Sequence, residues 1–214
     1  MFTGIIEEIG TIRSIKKGRS SAFITIEAEK VLHNTEVGDS IAVNGICLTV
    51  TEMHNGMFTA DIMSETLKRS SLGSYSAGAH VNLERAMAAD GRFGGHMVTG
   101  HADGIGKIVH IRREDIALRF TIQTKPDIMC CIVEKGSIAI DGISLTVAET
   151  NDDSFSVSVI PHTLKYTTLK AKQTGSLVNL ECDIIGKYTS KFLSSVFRQP
   201  QSRITKDFLQ QYGF

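Results

Sequence analysis

The chain contains two nearly identical strand-like segments, and this duplication constrains its fold more than any other feature. NGICLTV occupies residues 44–50 and DGISLTV occupies residues 141–147, so the copies are 97 positions apart (141 − 44 = 97). Five of the seven residues are identical; Asn44 is replaced by Asp141 and Cys47 by Ser144. Self-similarity at a long fixed period indicates that the chain is built from two similar structural units.

The duplication extends over almost the whole of each half. TGIIEEIGTI at 3–12 aligns with TGHADGIGKI at 99–108, with an offset of 96 residues. Three further blocks keep an offset of 97, namely 40–50 with 137–147, 58–72 with 155–169, and VNLE at 81–84 with VNLE at 178–181. These blocks predict two homologous domains, residues 1–96 and 97–193, followed by a tail at 194–214 whose helix starts near residue 184.

Each half is predicted to consist mainly of β-strands. Segments such as AFITIEAE at 22–29 and HVNLERAM at 80–87 alternate apolar and polar residues or carry β-branched runs, as strands do. Strands joined by short turns, without long helices between them, favour an antiparallel barrel. We therefore expect an all-β chain with two tandem homologous six-stranded antiparallel Greek-key barrels and a C-terminal helix. Two short helical segments are expected in each half, with starts near Glu29, Ser64, Pro126 and Pro161.

The composition and the N-terminus argue against several classes of protein. The 23 Lys and Arg residues balance the 23 Asp and Glu residues, so no overall field favours nucleic acid or an acidic membrane. The opening MFTGIIEEIG lacks the basic segment of a signal peptide, and no run approaches the roughly 18 apolar residues of a membrane span. We therefore expect a cytoplasmic protein that contacts neither nucleic acid nor membrane.

The cysteines and histidines do not form a pattern typical of a metal site or a disulfide framework. The 4 cysteines contain no CxxC pair, and the 7 histidines contain no HExxH motif. Cys130 and Cys131 are interpreted as small hydrophobic residues of a short core helix. No metal site is expected.

The segment DIIGKYTSKFLSSVF at 183–197 places large apolar residues on one side of a helix. Two hypotheses remain open for this stripe: it packs on the barrels of its own chain, or it packs against other subunits. The second is favoured, because two complete barrels leave little core for a further helix to cover. The stripe consists of Ile184, Tyr188, Phe192 and Val196, with Ile185 and Leu193 beside them.

The duplicated strand carries the first candidates for chemistry. With a side-chain period of two, Cys47 and Thr49 point to one face, whereas the residues that alternate with them are apolar. Ser144 and Thr146 occupy the matching positions of the second copy. Two interpretations stay open: these polar residues face a ligand at the mouth of a barrel, or they are small residues satisfied inside it.

The segment GGHMVTGH at 94–101 brings two histidines to the junction of the halves. His101 stands where the first copy has Ile5, so this histidine is specific to the second half. Histidine titrates near neutral pH and serves many enzymes as a general acid or base. Both a structural and a catalytic role remain open for His96 and His101 on sequence spacing alone.

Five motifs together resemble the riboflavin synthase family of the duplicated-barrel type. They are MFTGIIE at 1–7, NGICLTV at 44–50, GGHMVTGH at 94–101, KGSIAIDGISLTV at 135–147 and IPHTL at 160–164. The likeness extends from Met1 to about residue 195. It implies a transferase that converts two molecules of 6,7-dimethyl-8-ribityllumazine into riboflavin and 5-amino-6-ribitylamino-uracil by four-carbon transfer. This is the last step of riboflavin biosynthesis, and the family uses no cofactor or metal for it.

The resemblance also implies where the substrate binds. The family's site forms where the N-terminal barrel of one subunit meets the C-terminal barrel of its neighbour in a homotrimer. The implied lumazine contacts of the first barrel are Gly4, Ile5, Ile6, Cys47, Leu48, Thr49, Ile62, Met63, Ser64, Glu65, Thr66 and Leu67. Those of the second barrel are Gly100, His101, Ala102, Ser144, Leu145, Thr146, Val159, Ile160, Pro161, His162, Thr163 and Leu164. Ser40, Lys135 and Asp183 also fall on positions that line the family's site.

The implied catalytic residues are His101, Cys47, Ser144, Asp183 and His96. The 7-methyl group of the lumazine is acidic, so His101 is the candidate general acid or base and His96 a helper. Cys47 either adds to the ring as a nucleophile or only positions it; both stay open, because serine stands at position 144. An association with lumazine synthase is left open as well.

Two rival functions share parts of this pattern. Antenna proteins of the same fold carry a lumazine or a flavin without catalysis, and they tend to lose the site residues of the second half. A flavin-binding oxidoreductase barrel would need an attached nicotinamide domain, for which the chain has no room. The enzyme is favoured because Lys135, Ser144, Thr146 and His101 are all present.

Overall fold

The computed structural model describes residues 1–18, 21–197 and 210–213. In the first half, strands β1 to β6 close into one barrel. Their bounds are β1 Glu8–Lys17, β2 Ser21–Glu27, β3 Ser40–Val43, β4 Ile46–His54, β5 Met57–Met63 and β6 His80–Arg85. In the second half, strands β7 to β12 close into another. Their bounds are β7 Gly104–Glu114, β8 Ala117–Gln123, β9 Ser137–Ile140, β10 Ile143–Thr150, β11 Ser154–Val159 and β12 Leu177–Cys182.

The two barrels have the same strand order. Around the first barrel the order is β1-β2-β5-β4-β3-β6, and around the second it is β7-β8-β11-β10-β9-β12. All neighbouring strands within the barrels are antiparallel. The predicted fold class, two tandem six-stranded antiparallel barrels followed by a helix, is therefore confirmed.

The helices of the described residues are short except for the last. They are α1 Ser64–Arg69, α2 Pro126–Met129, α3 Pro161–Lys165 and α4 Ile184–Phe197, with 3-10 turns at Lys30–Leu32, Ser71–Ser74 and Thr168–Ala171. Pro126 and Pro161 stand in the first turn of their helices, where the missing N–H costs no hydrogen bond. The predicted helix starts are thus confirmed. None of the helices in these ranges combines the length and the apolarity that a membrane crossing requires.

Each barrel encloses its own core. Phe58 and Leu83 are among the buried residues of the first, and Phe120 and Phe155 among those of the second. The expectation for the adjacent cysteines is wrong in part, because Cys130 is exposed just beyond the end of α2. The helix is only four residues long, so its buried face ends with Met129.

A buried asparagine of the first barrel reaches into the second. Asn82 on β6 is 1% exposed. Its Nδ2 donates to the carbonyl oxygen of Asp141 at 2.9 Å, and its Oδ1 accepts from the backbone N–H of Thr168 at 2.8 Å. Buried backbone groups need hydrogen-bond partners, and here the side chain of Asn82 supplies them for two groups of the second barrel. These two hydrogen bonds therefore stabilise the contact between the barrels.

The second barrel makes the reciprocal contact with its own asparagine. Asn179 on β12 donates to the carbonyl oxygen of Asn44 at 2.8 Å and accepts from the N–H of Ser71 at 2.7 Å. The turns that receive these bonds touch each other, since a Cβ on Gly45 would lie 2.6 Å from the backbone nitrogen of Gly142. The two barrels are therefore related by an approximate two-fold axis that passes between these turns.

Replacing either asparagine is expected to weaken the whole fold. Asn82→Ala or Asn179→Ala removes two hydrogen bonds and leaves a buried N–H and a buried C=O unpaired, at about 1–3 kcal/mol each. We expect the free energy of unfolding to fall by about 2–5 kcal/mol in urea denaturation at fixed protein concentration. Asn151→Ala, at an exposed loop residue, is the matched control and should stay within about 0.5 kcal/mol of the parent. A loss below about 1 kcal/mol for both buried variants would show that water satisfies the freed groups.

Candidate functional site

The first residues of each half lie against the barrel of the other half. The N–H of Ser144 donates to the carbonyl oxygen of Gly4 at 2.8 Å, and the N–H of Cys47 donates to that of Gly100 at 2.8 Å. A Cβ on Gly4 would lie 2.6 Å from Ser144 Cβ, and one on Gly100 would lie 2.5 Å from Cys47 Cβ. Both glycines also have positive φ, 77° and 82°. Only glycine allows the backbone this approach in this conformation.

This exchange corrects the predicted grouping of the binding segments. Residues 4–6 were expected at the first barrel and residues 100–102 at the second, and the structure places them the other way round. Ile6 packs against the core of the second barrel, and Ala102 packs against the core of the first. The sequence repeat shows which residues are equivalent, but it carries no information on which barrel a segment covers.

Two buried glutamates hold the exchanged segments in place. Glu181 on β12 accepts from Thr99 N–H at 2.6 Å, Gly100 N–H at 3.0 Å and His101 N–H at 3.1 Å. In the other half, Glu84 accepts from the N–H of Thr3 at 2.6 Å and from that of Gly4 at 3.0 Å. Burial raises the pKa of the Glu84 carboxyl, and the bonds from Thr3 and Gly4 oppose this shift. Each carboxylate thus fixes the backbone that lies on the duplicated strand.

Sequence reasoning did not identify these glutamates as site residues. The available signal was the VNLE block, which repeats at 81–84 and 178–181 and places Asn and Glu in an otherwise apolar strand. All four residues of each copy are buried. Polar side chains at such positions need hydrogen-bond partners, and here those partners are the other barrel and the exchanged segment.

The first pocket is formed by Cys47 and by the segment that carries His101. Its cleft has a volume of about 160 Å³ and is also lined by Thr66 of α1 and by the exposed Glu65–Arg69 ion pair. The hydrogen bond from Arg69 lowers the pKa of the Glu65 carboxyl below its usual range. Cys47 is half-buried and Thr49 exposed, while Leu48 between them is buried, so the predicted alternation of this strand is confirmed. The structure therefore brings Cys47 and His101 together in one cleft.

At the equivalent position on the second barrel, the other predicted catalytic residues lie near one another. His96 Nδ1 lies 2.7 Å from Ser144 Oγ. Burial lowers the pKa of His96, and the negative charges of Asp183 and Glu181 offset part of this shift. His96 Nε2 is buried and has no hydrogen-bond partner among the described residues. Near neutral pH, His96 is therefore an uncharged imidazole with one ring nitrogen left for a ligand.

The two sites, at Cys47 and at Ser144, are similar in backbone and different in chemistry. The first has a thiol, an ion pair and the imidazole of His101, whereas the second has a hydroxyl, the imidazole of His96 and the rings of His162 and Tyr166, whose centroids lie 4.8 Å apart. Three equivalent positions differ between the halves. In the second half, Ser144 replaces Cys47, His162 replaces Glu65 and Tyr166 replaces Arg69. Two similar molecules bound in these pockets would meet different functional groups.

Lys135 adopts a backbone conformation that favours glycine. Its φ is +63°, and its N–H donates to the carbonyl oxygen of Val147 at 2.8 Å. The equivalent residue of the first half is Gly38, with φ +103° and the same bond to Val50. A left-handed conformation costs a residue other than glycine about 1–2 kcal/mol. Strain that persists at one residue of a repeat supports a functional role for that side chain.

The remaining predicted contacts divide by exposure. The side chains of Ile62 and Val159 are buried in the two barrel cores, so only their backbones face a ligand. Ser40 pairs with Thr49 in the ladder between β3 and β4. Ser64 begins α1, and its side chain lies outside the described part of the chain. The exposed or half-exposed contacts are Met63, Glu65, Thr66, Leu67, Ile160, Pro161, His162, Thr163 and Leu164.

Helix α4 follows the second barrel, and several large apolar side chains of its stripe are exposed. Lys187 Nζ lies 2.9 Å from Asp103 Oδ1 and attaches the start of the helix to the barrel. Tyr188 is 58% exposed and Phe192 is 66% exposed, and Ile185 and Leu193 are exposed as well. The hypothesis that these residues pack on their own barrels is therefore wrong. The side chain of Val196 and residues 198–209 lie outside the described part of the chain.

Both halves of the chain match a known protein family. Residues 3–86 and 99–183 match the family model described as Lumazine binding domain. The riboflavin synthase of Actinobacillus pleuropneumoniae is 56% identical over 215 residues, and the match covers 100% of both chains. That of Bacillus subtilis (strain 168) is 49% identical, again over 100% of both chains. That of Schizosaccharomyces pombe is 42% identical over 91% of this chain and 95% of the relative.

Solved structures of a lumazine-binding protein have the same fold. LumP in complex with 6,7-dimethyl-8-(1'-D-ribityl) lumazine superposes with a TM-score of 0.77 and 27% sequence identity. LumP in complex with riboflavin superposes with a TM-score of 0.79 at the same identity. Each match covers 85% of this chain and 99% of LumP.

Proposed function

The chain belongs to the riboflavin synthase family, and we propose that it converts two molecules of 6,7-dimethyl-8-ribityllumazine into riboflavin and 5-amino-6-ribitylamino-uracil. The observation that carries the proposal is that the two copies of the duplicated strand make equivalent backbone contacts and have different side chains around them, with Cys47 in one copy and Ser144 in the other. A dismutation needs two sites for one substrate, and it needs them unequal, because one molecule donates the four-carbon unit and the other accepts it. The products together contain the atoms of two substrates, so the reaction requires no co-reactant, cofactor or metal.

In the proposed mechanism, His101 moves the proton of the lumazine 7-methyl group. A carbanion at this position is delocalised into the ring, so a base that titrates near neutral pH is sufficient. Glu181 fixes the backbone of His101 at the first pocket, and Cys47 also lines this cleft. Cys47 positions the ring or adds to it as a nucleophile, and these remain two alternatives. Alignment of the two rings supplies a large part of the acceleration.

In the second pocket, His96 and Ser144 act as a pair. Their hydrogen bond orients the imidazole, and the unpartnered Nε2 is left to accept a hydrogen bond or a proton from the second substrate. Asp183 lies between β12 and α4 and accepts from the N–H of Ile185 at 2.9 Å, so its position is fixed by the start of α4. Its negative charge stabilises the protonated form of His96.

We further propose that the working enzyme is a homotrimer in which the first barrel of one subunit faces the second barrel of its neighbour. The 160 Å³ cleft at Cys47 is smaller than the roughly 300–1,000 Å³ of most ligand pockets. A neighbouring subunit would complete it. The exposed apolar stripe of α4 supplies a surface for assembly. A domain boundary at residues 96 and 97, a cytoplasmic location and an association with lumazine synthase stay expectations of the family resemblance.

The substrate itself tests the proposed function. Purified protein incubated with 6,7-dimethyl-8-ribityllumazine alone should produce riboflavin, detected by its absorbance and fluorescence after chromatography. One riboflavin should appear for every two lumazines consumed, and a chelator should have no effect. Unchanged lumazine bound to the protein would contradict the proposal and would favour a carrier such as LumP, to which the chain is only 27% identical.

A further inference from the structure

A further cavity lies between the two barrels. Its volume is about 750 Å³, and the 3-10 turns Ser71–Ser74 and Thr168–Ala171 contribute to its walls. None of its lining residues belongs to the implied lumazine contacts. Its volume falls within the roughly 300–1,000 Å³ that small-molecule sites occupy.

The cavity straddles the approximate two-fold axis of the molecule. Four pairs of its lining residues are equivalent in the two halves, at a spacing of 97 positions. The pairs are Ser74 and Ala171, Tyr75 and Lys172, Ala79 and Ser176, and His80 and Leu177. The second half contributes additional positive charge, because Lys172 replaces Tyr75 and Lys170 replaces Gly73. The part of the cavity wall that comes from the second half is therefore more basic than the equivalent part from the first half.

Two lysines at this cavity have no acidic partner. Lys165 and Lys170 are exposed, and within the described residues neither forms an ion pair; Lys165 lies 5.0 Å from the ring centre of Tyr166. The described residues that line the cavity include no aspartate or glutamate. Ammonium groups that are not compensated by carboxylates attract an anion, and their effect falls with ionic strength.

The charge of the third lysine in the cavity wall, Lys172, is balanced by a carboxylate. Lys172 Nζ lies 2.7 Å from Oδ2 of Asp141, a carboxylate whose side chain is fully buried. Lys172 also donates to the carbonyl oxygen of Leu177 at 2.8 Å, which places its charge in the wall of the cavity. Because Asp141 is committed to Lys172, it does not cancel the charges of Lys165 and Lys170.

One buried hydroxyl in the cavity wall lacks a partner. Thr168 is 7% exposed, and its Oγ1 makes no hydrogen bond within the described part of the chain. The backbone N–H of the same residue is satisfied by Asn82. Other hydroxyls of the wall are occupied, as Thr167 Oγ1 donates to the carbonyl oxygen of Thr163 at 2.7 Å. Buried polar groups are rarely left unpaired, so this hydroxyl is an observation that points to a ligand.

We propose that this cavity binds a small organic phosphate monoester. Its terminal oxygens accept from Lys165 and Lys170, which bind phosphate as point charges, and from the hydroxyl of Thr168. The apolar body of the ligand covers Ile9, Leu177 and the ring of Tyr75. This site is independent of the proposed riboflavin formation, which uses the pockets at Cys47 and Ser144.

Calorimetry with 1-naphthyl phosphate tests the site, with riboflavin present to occupy the lumazine pockets. We expect one phosphate ester bound per chain, at least tenfold weaker binding of uncharged 1-naphthol, and weaker binding of inorganic phosphate, which lacks the apolar body. The variant Lys165→Gln/Lys170→Gln should weaken the ester at least tenfold. Lys30→Gln/Lys125→Gln changes two exposed lysines outside the cavity by the same charge and should leave its affinity unchanged.

A third variant separates the hydroxyl from the charges. Thr168→Val keeps the shape of the side chain and should weaken the ester severalfold without lowering the unfolding temperature. If Lys165→Gln/Lys170→Gln and Lys30→Gln/Lys125→Gln lost the same affinity for the ester, the proposal would be overturned. Such a result would show that the lysines attract the ester nonspecifically. Binding that disappears when riboflavin is added would also overturn it, since the ester would then occupy a lumazine pocket. Riboflavin formation by the same samples reports separately on the proposed function.

Discussion

Replacing Phe192 with glutamate is expected to separate the proposed homotrimer into single chains and to remove nearly all riboflavin formation. The side chain is 66% exposed on α4 and lies 6.4 Å, ring centre to ring centre, from Tyr188. Aromatic residues at the centre of an interface contribute about 2 kcal/mol or more each, and an unpaired buried charge adds a further cost. The lumazine pockets would then lose the neighbouring subunit that completes them.

Sedimentation velocity over a range of protein concentrations measures this outcome, with riboflavin formation followed on the same samples. Ser190→Glu adds the same charge two residues earlier, on the opposite side of the helix, and should remain trimeric and active. Because Phe192 is exposed in the single chain, its replacement should not unfold the barrels. A Phe192→Glu protein that stays trimeric, or that is active as a monomer, would exclude α4 as the assembly element.

His101→Gln is expected to lower the turnover number by about 100-fold or more, the usual scale of a lost general acid or base. Glutamine keeps the size and the hydrogen-bonding capacity of the side chain but does not titrate. The backbone of the residue is fixed by Glu181 and by the neighbouring Gly100–Cys47 contact, so the pocket should keep its shape. Lumazine affinity, measured by calorimetry, should therefore change little.

The pH dependence and a second histidine complete this test. Turnover measured over a range of pH should show a dependence in the parent protein that the variant lacks, because glutamine cannot take up or release a proton. His54→Gln, at an exposed histidine at the end of β4, is the matched control and should behave as the parent. If His101→Gln turned over as fast as the parent at every pH, another group would have to move the proton.

The strands, the barrel class that they indicate and the helix starts follow from patterns in the sequence. The alternation of Cys47 and Thr49 with buried neighbours is a property of any half-buried strand, and Pro126 and Pro161 mark helix starts through their fixed φ. The exposed stripe around Phe192 was also predictable, because a complete pair of barrels leaves no further core to cover. These features depend on residues that lie close together in the chain.

The positions of the segments that carry Gly4 and Gly100 could not be predicted in the same way. Alignment of the repeats makes these residues equivalent, but the same alignment is compatible with each segment covering its own barrel or the other one. The choice is made by long-range contacts, the carboxylates of Glu84 and Glu181 and the close approach to Ser144 and Cys47. The family resemblance had named both segments as site residues, but it had grouped each of them with the wrong barrel.

The exchange of these first segments has a consequence for the origin of the chain. Neither half is self-sufficient, because the strand that bears Cys47 is covered by residues from the second half and the strand that bears Ser144 by residues from the first. A single-barrel ancestor would therefore have existed as an intertwined pair, with each copy lending its leading residues to the other. Fusion of two such genes would join a swapped dimer rather than two independent barrels. Once both copies were encoded in one chain, each pocket could mutate alone, which an identical pair does not permit.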